Sequence, residues 1–404
     1  MSCSMWSAKK AGSSAPDRLR RPSPPLKLAI AGALSQGAAV GIGRFVYTPI
    51  LPAMMSALHL SQSQVGLIAT ANFAGYLVGA LVAAAPVFGR APRLWLTIAL
   101  LVSAATTAAM GLASSLPAFL VLRAVGGLAS AFVLVFASTV VLQRLARDGR
   151  GGLSAVHFAG VGAAIVVSAL ATSWMASSGM DWRAMWLVSG ALSLLAILAA
   201  LRLLPPDEAA PLAATAPGAA PIRKGAASLM LAYGLFGFGY VVTATFIVAI
   251  VRTYPAAAPM QPYVWLLVGL SAIPSVALWT LIGERIGVRR AFALACLVEA
   301  LGVAVSVLRP TADGAVIASL LLGGTYMGIT ALGLVAARGL EPANPSRVLG
   351  RMTAAFALGQ MIGPAFAGWL AERLGGFGLA SLIASAALVV SAALTFRPAR
   401  DAPL

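Results

Sequence analysis

The chain has 404 residues, of which 60% are hydrophobic and 10% charged, and it carries a net charge of +17. Soluble domains average about 25% charged residues, so this chain cannot cover itself against water, and a soluble enzyme or binding module is excluded. Unbroken apolar windows long enough to cross a hydrocarbon core of about 30 Å recur along its length; they exclude the alternating pattern of a β-barrel and predict an all-α membrane protein.

Residues 1–27, rich in Ser, Pro and Arg, lack an apolar core followed by a small-residue cleavage site and read as a disordered cytoplasmic tail. Twelve transmembrane helices follow. The first six are predicted at 28–58, 64–88, 94–113, 117–143, 152–177 and 183–203. A Pro- and Ala-rich linker at 204–225 precedes six more, at 227–251, 262–283, 290–308, 314–337, 347–372 and 377–396. The domains are therefore an N-terminal six-helix bundle at 28–203, a C-terminal one at 226–398, and a cytoplasmic tail at 399–404.

The basic residues lie between the apolar runs. With the N-terminus in the cytoplasm, 22 Lys and Arg fall in cytoplasmic segments and only Arg183, Arg252, Arg309 and Arg373 in outer ones. That bias predicts a multi-pass membrane protein with both termini cytoplasmic. It also explains the net charge without nucleic acid as a partner. The two cysteines, Cys3 in the tail and Cys296 in the ninth helix, offer neither a disulfide framework nor a zinc site.

The halves resemble each other. Gly41-Ile42-Gly43-Arg44 aligns with Gly237-Phe238-Gly239-Tyr240, and Gly126-Gly127 with Gly323-Gly324. Gly151 and Gly160 align with Gly350 and Gly359, and the basic loop at Arg93 with that at Arg290, all at shifts of 196–199 positions. A near-constant shift at independent landmarks predicts a duplicated unit, as suits a carrier that rocks about a site between its repeats.

Several stretches resemble the major facilitator superfamily. FGRAPRLW (Phe88–Trp95) and IGERIGVRR (Ile282–Arg290) resemble its basic loops between helices 2 and 3 and between 8 and 9, the first without the family's acidic residue. LVLRAVGGLASA (Leu120–Ala131) resembles the helix 4 motif with an arginine three residues before a glycine, and DWR (Asp181–Arg183) the turn before helix 6. GIGRFVYTPILP (Gly41–Pro52) is similar to the first-helix signature of the YbfB/YjiJ-type branch of uncharacterised bacterial transporters. The resemblance covers nearly the whole chain after the tail. It implies two pseudo-symmetric six-helix bundles with helices 3, 6, 9 and 12 at the periphery, and leaves the substrate open.

Two arginines lie inside membrane helices. An arginine at a helix centre costs roughly 2.5–3.5 kcal/mol by insertion scales unless it faces protein or water, and it cannot shed its proton. Gly37, Gly41, Arg44 and Thr48 share one helix face by their spacing, while Pro49 and Pro52 bend the outer end. Arg44 is therefore expected to point into a central cavity at mid-depth. Arg123 lies about two turns from the outer end of the fourth helix. No Asp or Glu lies inside a first-half helix, so both cations need backbone, water, the second half or a ligand. Structural and substrate-binding or coupling readings of each stand side by side. Under the second, the guanidinium groups favour an anionic, carboxylate-bearing solute.

Glu299 is the only carboxylate deep in a helix and could carry a proton, although the peripheral place of helix 9 in the resembled fold argues for a neutral acid bonded to a neighbouring helix. His157, in helix 5, could relay protons or simply pack. Gln36, Tyr47 and Asn72 in the first half, and Tyr240, Tyr326 and Gln360 in the second, could bond a solute or bond across helices. Gln36 and Tyr47 lie on nearly one helical stripe. Gly75/Gly79 and Gly359/Gly363 read as packing surfaces.

These features predict a secondary active transporter working by alternating access on a small-molecule substrate, as a monomer in the lipid bilayer, without metal or cofactor. No nucleotide motif is present, so protons are the expected energy source. The helix 4 resemblance slightly favours efflux; uptake of an organic anion is the runner-up. A membrane-embedded enzyme would need a metal cluster or a nucleophile beside a base, and the only histidines, His59 and His157, lie far apart in the chain. A non-transporting sensor would need a folded soluble domain, for which tail and linker are too short.

Overall fold

A computed structural model describes residues 25–83, 85, 87–204, 224–340 and 345–396. The expected tails at 1–27 and 399–404 and the linker at 204–225 fall almost wholly outside them. Among the described residues, twelve helices are long and apolar enough to cross a membrane, and there is no strand. They are α1 (Pro25–Leu58), α2 (Gln62–Ala83), α3 (Pro92–Met110), α4 (Leu116–Arg147), α5 (Gly151–Ser177) and α6 (Trp182–Leu203). The second six are α7 (Lys224–Thr253), α8 (Ala258–Ile286), α9 (Val288–Leu308), α10 (Ala312–Leu340), α11 (Pro345–Leu374) and α12 (Gly378–Phe396). Large apolar side chains such as Leu81, Leu195 and Leu301 stand exposed on the outside, as a surface facing lipid allows and one facing water does not.

The helices match the expected spans with one clear difference at an end. The second was expected to reach residue 88 and stops at Ala83; Phe88–Arg90 form a separate 3₁₀ turn. Pro86 supplies no backbone N–H and disfavours helix in the residue before it.

Packing repeats between the halves. In the first, α1 packs on α5 and α6, α2 on α4, and α3 on α4 and α6. In the second, α7 packs on α11 and α12, α8 on α10, and α9 on α10 and α12. Moving each first-half helix on by six returns the same neighbours, so the bundles are pseudo-symmetric. They meet reciprocally, α2 against α11 and α5 against α8. Backbone touches backbone inside each bundle: a side chain on Gly160 would strike Ala33 of α1, and one on its repeat mate Gly359 would strike Gly234 of α7.

Helix α1 is broken at its middle. Gly37–Ile42 form a wide π turn, in which Gly43 N donates to Ala38 O at 2.9 Å and Phe45 N to Val40 O at 3.2 Å. Helix resumes at Tyr47. Pro49 accounts for the outer end of the break: it has no N–H for the carbonyl of Phe45, four residues back. Thr48 N, which an unbroken helix would send to Arg44 O, turns to Phe45 O instead at 3.2 Å.

Because the helices alternate in direction, the loops after odd-numbered helices share one, arginine-poor, end, and the others share a basic end. Side chains tie the halves together at the arginine-poor end. Glu372 Oε2 of α11 accepts from Ser61 Oγ and Ser63 N at the start of α2, both at 2.8 Å. Arg252 of α7 donates to Pro52 O at 3.1 Å and Ser56 Oγ at 3.2 Å near the close of α1. Ser173 Oγ of α5 donates to Pro262 O of α8 at 3.0 Å. The anion thus sits at a helix N-terminus and the cation near a C-terminus, each matched to the helix dipole.

Candidate functional site

Two contacts locate the pseudo-symmetry axis. Thr48 Oγ1 donates to Ala244 O at 2.9 Å, and Ser56 Oγ accepts from Arg252; the partners in each pair are 196 positions apart. Such pairs are repeat mates, and repeat mates touch only beside the axis that relates them. Helices α1 and α7 therefore flank it. Arg44, one turn inward from Thr48, and its own repeat mate Tyr240 lie at the centre of the seam.

Arg44 is 6% exposed. Its guanidinium carbon lies 4.1 Å from the centroid of the Tyr76 ring and 5.4 Å from that of Phe73, both on α2. Nη2 donates to Ser130 Oγ of α4 at 3.2 Å. Its Nε has no hydrogen-bond partner among the described residues. The neighbouring Phe45 reaches the second half, with ring centroids 6.0 Å from Tyr326 of α10 and 6.1 Å from Trp265 of α8.

Arg123 is used differently. Its Nη1 donates to Gly43 O and its Nη2 to Arg44 O, both at 2.9 Å. These are the carbonyls beside the break in α1, so a charged fork from α4 satisfies acceptors that the broken helix leaves open. Arg123 also lies over Tyr47, 5.2 Å to the ring centroid, and beside Trp186 at 5.9 Å. Asn72 Nδ2 holds the same turn of α4 by donating to Arg123 O at 2.9 Å. Arg123 sets the backbone from which Arg44 projects.

The remaining candidates fall into two groups. Tyr47 Oη donates to Val65 O of α2 at 2.8 Å, within the first bundle. Gln36 does not share a stripe with it, because the π turn and the break shift the helical register between them. Gln36 Nε2 instead lies 3.3 Å from His157 Nε2; both residues are fully buried, and Gln36 Oε1 and His157 Nδ1 have no partner among the described residues. In the second bundle, Tyr240 stacks on Tyr326 at 5.7 Å and 8° and on Phe356 at 5.9 Å and 4°. Gln360 Nε2 bonds to Tyr240 Oη. Tyr326 Oη, Gln360 Oε1, Trp265 Nε1 and both Glu299 carboxylate oxygens are buried and unpartnered among the described residues. Tyr240 and Tyr326 lie within electrostatic reach of both Arg44 and Glu299.

The structure therefore brings Arg44, Tyr240, Tyr326 and Gln360 to one seam, with Glu299 behind the tyrosines, and leaves Tyr47, Arg123 and Asn72 in the joint of the first bundle. Trp265, Phe45, Tyr76 and Ser130 join the site without having been singled out in the sequence. Two had a usable signal. Ser130 lies seven residues after Arg123, on the same face of α4, and Tyr76 lies four after Asn72, on the same face of α2. Trp265 and Phe45 had none beyond being aromatic.

The fold is shared with solved transporters. The nucleoside transporter NupG is 17% identical, with a TM-score of 0.69 over 92% of this chain and 98% of that one. A D-xylose-proton symporter is 15% identical, with a TM-score of 0.70 over 92% and 96%. A bacterial homologue of the human lysosomal transporter Spinster, in an inward-facing and unoccupied conformation, is 17% identical, with a TM-score of 0.65 over 92% and 96%. No curated protein sequence matches the chain. The family model described as "Uncharacterised MFS-type transporter YbfB" matches residues 37–396. The protein is thus a multi-pass membrane transporter, not an enzyme, and it belongs to the YbfB-type family of the major facilitator superfamily.

Proposed function

We propose that the protein is a proton-coupled carrier of a small organic anion that works, as a monomer, by alternating access about the Arg44 seam. It lies in a bacterial inner membrane with both termini and the basic end in the cytoplasm, a placement supported by the distribution of Lys and Arg. One observation carries the reading. Of the two buried arginines among the described residues, both keep an unpartnered Nε–H, but Arg123 spends both of its Nη groups on the broken backbone of α1, whereas Arg44, beside the axis, donates only to Ser130. Tyr326 Oη, Trp265 Nε1 and Gln360 Oε1 of the other bundle are unpartnered as well; native cores leave few such groups, so a set of them at a carrier's seam supports a cargo site.

The proton rides on Glu299. With neither oxygen bonded, an ionised carboxylate there is far costlier than a neutral acid, so the group holds a proton in this arrangement. A negative Glu299 opposes an anion at the tyrosines it shares with Arg44; a protonated one does not. Cargo and proton then favour each other's binding and move together. The D-xylose-proton symporter offers a precedent by its name alone. Co-movement with protons down an inward gradient gives uptake, the runner-up direction, whereas the helix 4 resemblance slightly favours efflux.

The test is Arg44→Ala in proteoliposomes, with transport of an anion found by thermal-shift screening. Transport is expected to vanish with folding and insertion unchanged; transport at the wild-type rate rejects the reading.

A further inference from the structure

We infer that the cargo carries a planar aromatic ring beside its carboxylate. The inference rests on the anion-carrier reading and narrows its substrate class. Three hydrogen-bond donors stand unpartnered at the seam: Arg44 Nε, Tyr326 Oη and Trp265 Nε1. Their residues are 6%, 5% and 2% exposed. An indole N–H is a donor only, and a guanidinium accepts nothing. The unpartnered acceptors of the second bundle, Gln360 Oε1 and the Glu299 oxygens, do not reach them, so each donor still lacks an acceptor oxygen. A carboxylate supplies two such oxygens and the negative charge that Arg44 calls for.

The ring follows from how these donors are mounted. The guanidinium carbon of Arg44 lies 4.1 Å from the centroid of the Tyr76 ring and Nη2 is bonded to Ser130, which leaves Nε–H for the ligand. A carboxylate on Arg44 that also takes up Tyr326 Oη or Trp265 Nε1 holds whatever it carries against the facing half. There Tyr326, Tyr240 and Phe356 form a near-parallel file, with interplanar angles of 8° and 4°. Phe45 stands edge-on to Tyr326 at 77° and tilted to Trp265 at 58°. Tyr240 and Phe356 already carry rings on their faces, so a further ring joins at the Tyr326, Phe45 and Trp265 end of the file, where it gains aromatic contact beyond its buried area. An aliphatic acid of equal size forgoes that gain.

The experiment uses the purified full chain in detergent, read by thermal shift and tryptophan fluorescence, with four probes: benzoate, cyclohexanecarboxylate, benzamide and succinate. Benzoate is expected to bind, and cyclohexanecarboxylate to bind roughly three- to tenfold more weakly, the worth of one aromatic contact. Benzamide, which keeps the ring without the charge, is expected to lose binding. In Tyr326→Leu, benzoate is expected to fall to the level of cyclohexanecarboxylate; in Trp265→Phe, both acids are expected to weaken together. Equal affinity for the two ring acids overturns the aromatic inference and leaves the anion reading standing. So does binding of succinate, lost in Arg44→Met, without binding of benzoate. If no anion stabilises the wild type more than Arg44→Met, both fall.

Discussion

Exchanging Arg123 for methionine keeps the bulk of the side chain and removes its charged fork. Two hydrogen bonds vanish, each at 2.9 Å to a buried carbonyl at the break in α1. A hydrogen bond to a charged group contributes about 1.5–3 kcal/mol, so Arg123→Met is expected to lose roughly 3–6 kcal/mol of stability. Arg123→Lys, a point donor that reaches one carbonyl, is expected to recover about half of that. Arg44→Met is the control. It removes one bond of 3.2 Å to Ser130 and the contact with Tyr76, the latter worth roughly 0.5–2 kcal/mol. Both exchanges remove the desolvation penalty of a buried charge, so they differ by the bonds lost, and Arg44→Met is expected to lose about 1.5–3 kcal/mol less than Arg123→Met, the worth of the second bond. The assay is reversible unfolding in mixed micelles, followed by tryptophan fluorescence and far-ultraviolet circular dichroism. Arg123→Met as stable as wild type, or Arg44→Met as unstable as Arg123→Met, refutes the division of roles between the arginines.

Three further expectations follow from the same geometry. Glu299→Gln, a permanently neutral mimic of the protonated acid, is expected to retain anion binding while proton movement with the anion ceases in proteoliposomes carrying a pH-sensitive dye; intact co-movement removes Glu299 from the coupling. Arg252→Ala combined with Glu372→Gln cuts the charged ties at the arginine-poor end and is expected to raise labelling of a cysteine placed at Thr48 by a membrane-impermeant thiol reagent; unchanged labelling means those ties do not hold the gate. Pro49→Ala restores an N–H for Phe45 O and is expected to slow transport several-fold without loss of stability; an unaltered rate detaches the break in α1 from the transport cycle.

Much of the architecture was legible in the sequence because the membrane imposes it. Apolar runs must be helical and of fixed length, and shared landmarks such as Gly160 and Gly359 mark the same helix contact in each half. The first helix was legible only in part. Pro49 announced a bend, yet a π turn begins a full three turns earlier, at Gly37, and the Gln36–Tyr47 stripe assumed a register that it erases. The arginines were visible as intramembrane charges, but nothing in the chain told them apart. Which one serves the backbone depends on how α4 packs against the broken part of α1, a tertiary contact between residues about 80 positions apart. Trp265 and Phe45 were hidden for a related reason: in a chain this apolar, an aromatic residue at the seam looks like any other core residue until the second bundle is in place.

The most direct measurement is an electron-microscopy structure of the protein with the anion that most raises its melting temperature. The account predicts ligand density at the seam of the bundles, within hydrogen-bond distance of the Arg44 guanidinium and in contact with Tyr326 or Trp265. Density lodged elsewhere, with Arg44 still resting on Ser130 and Tyr76 and its Nε unpaired, would contradict it.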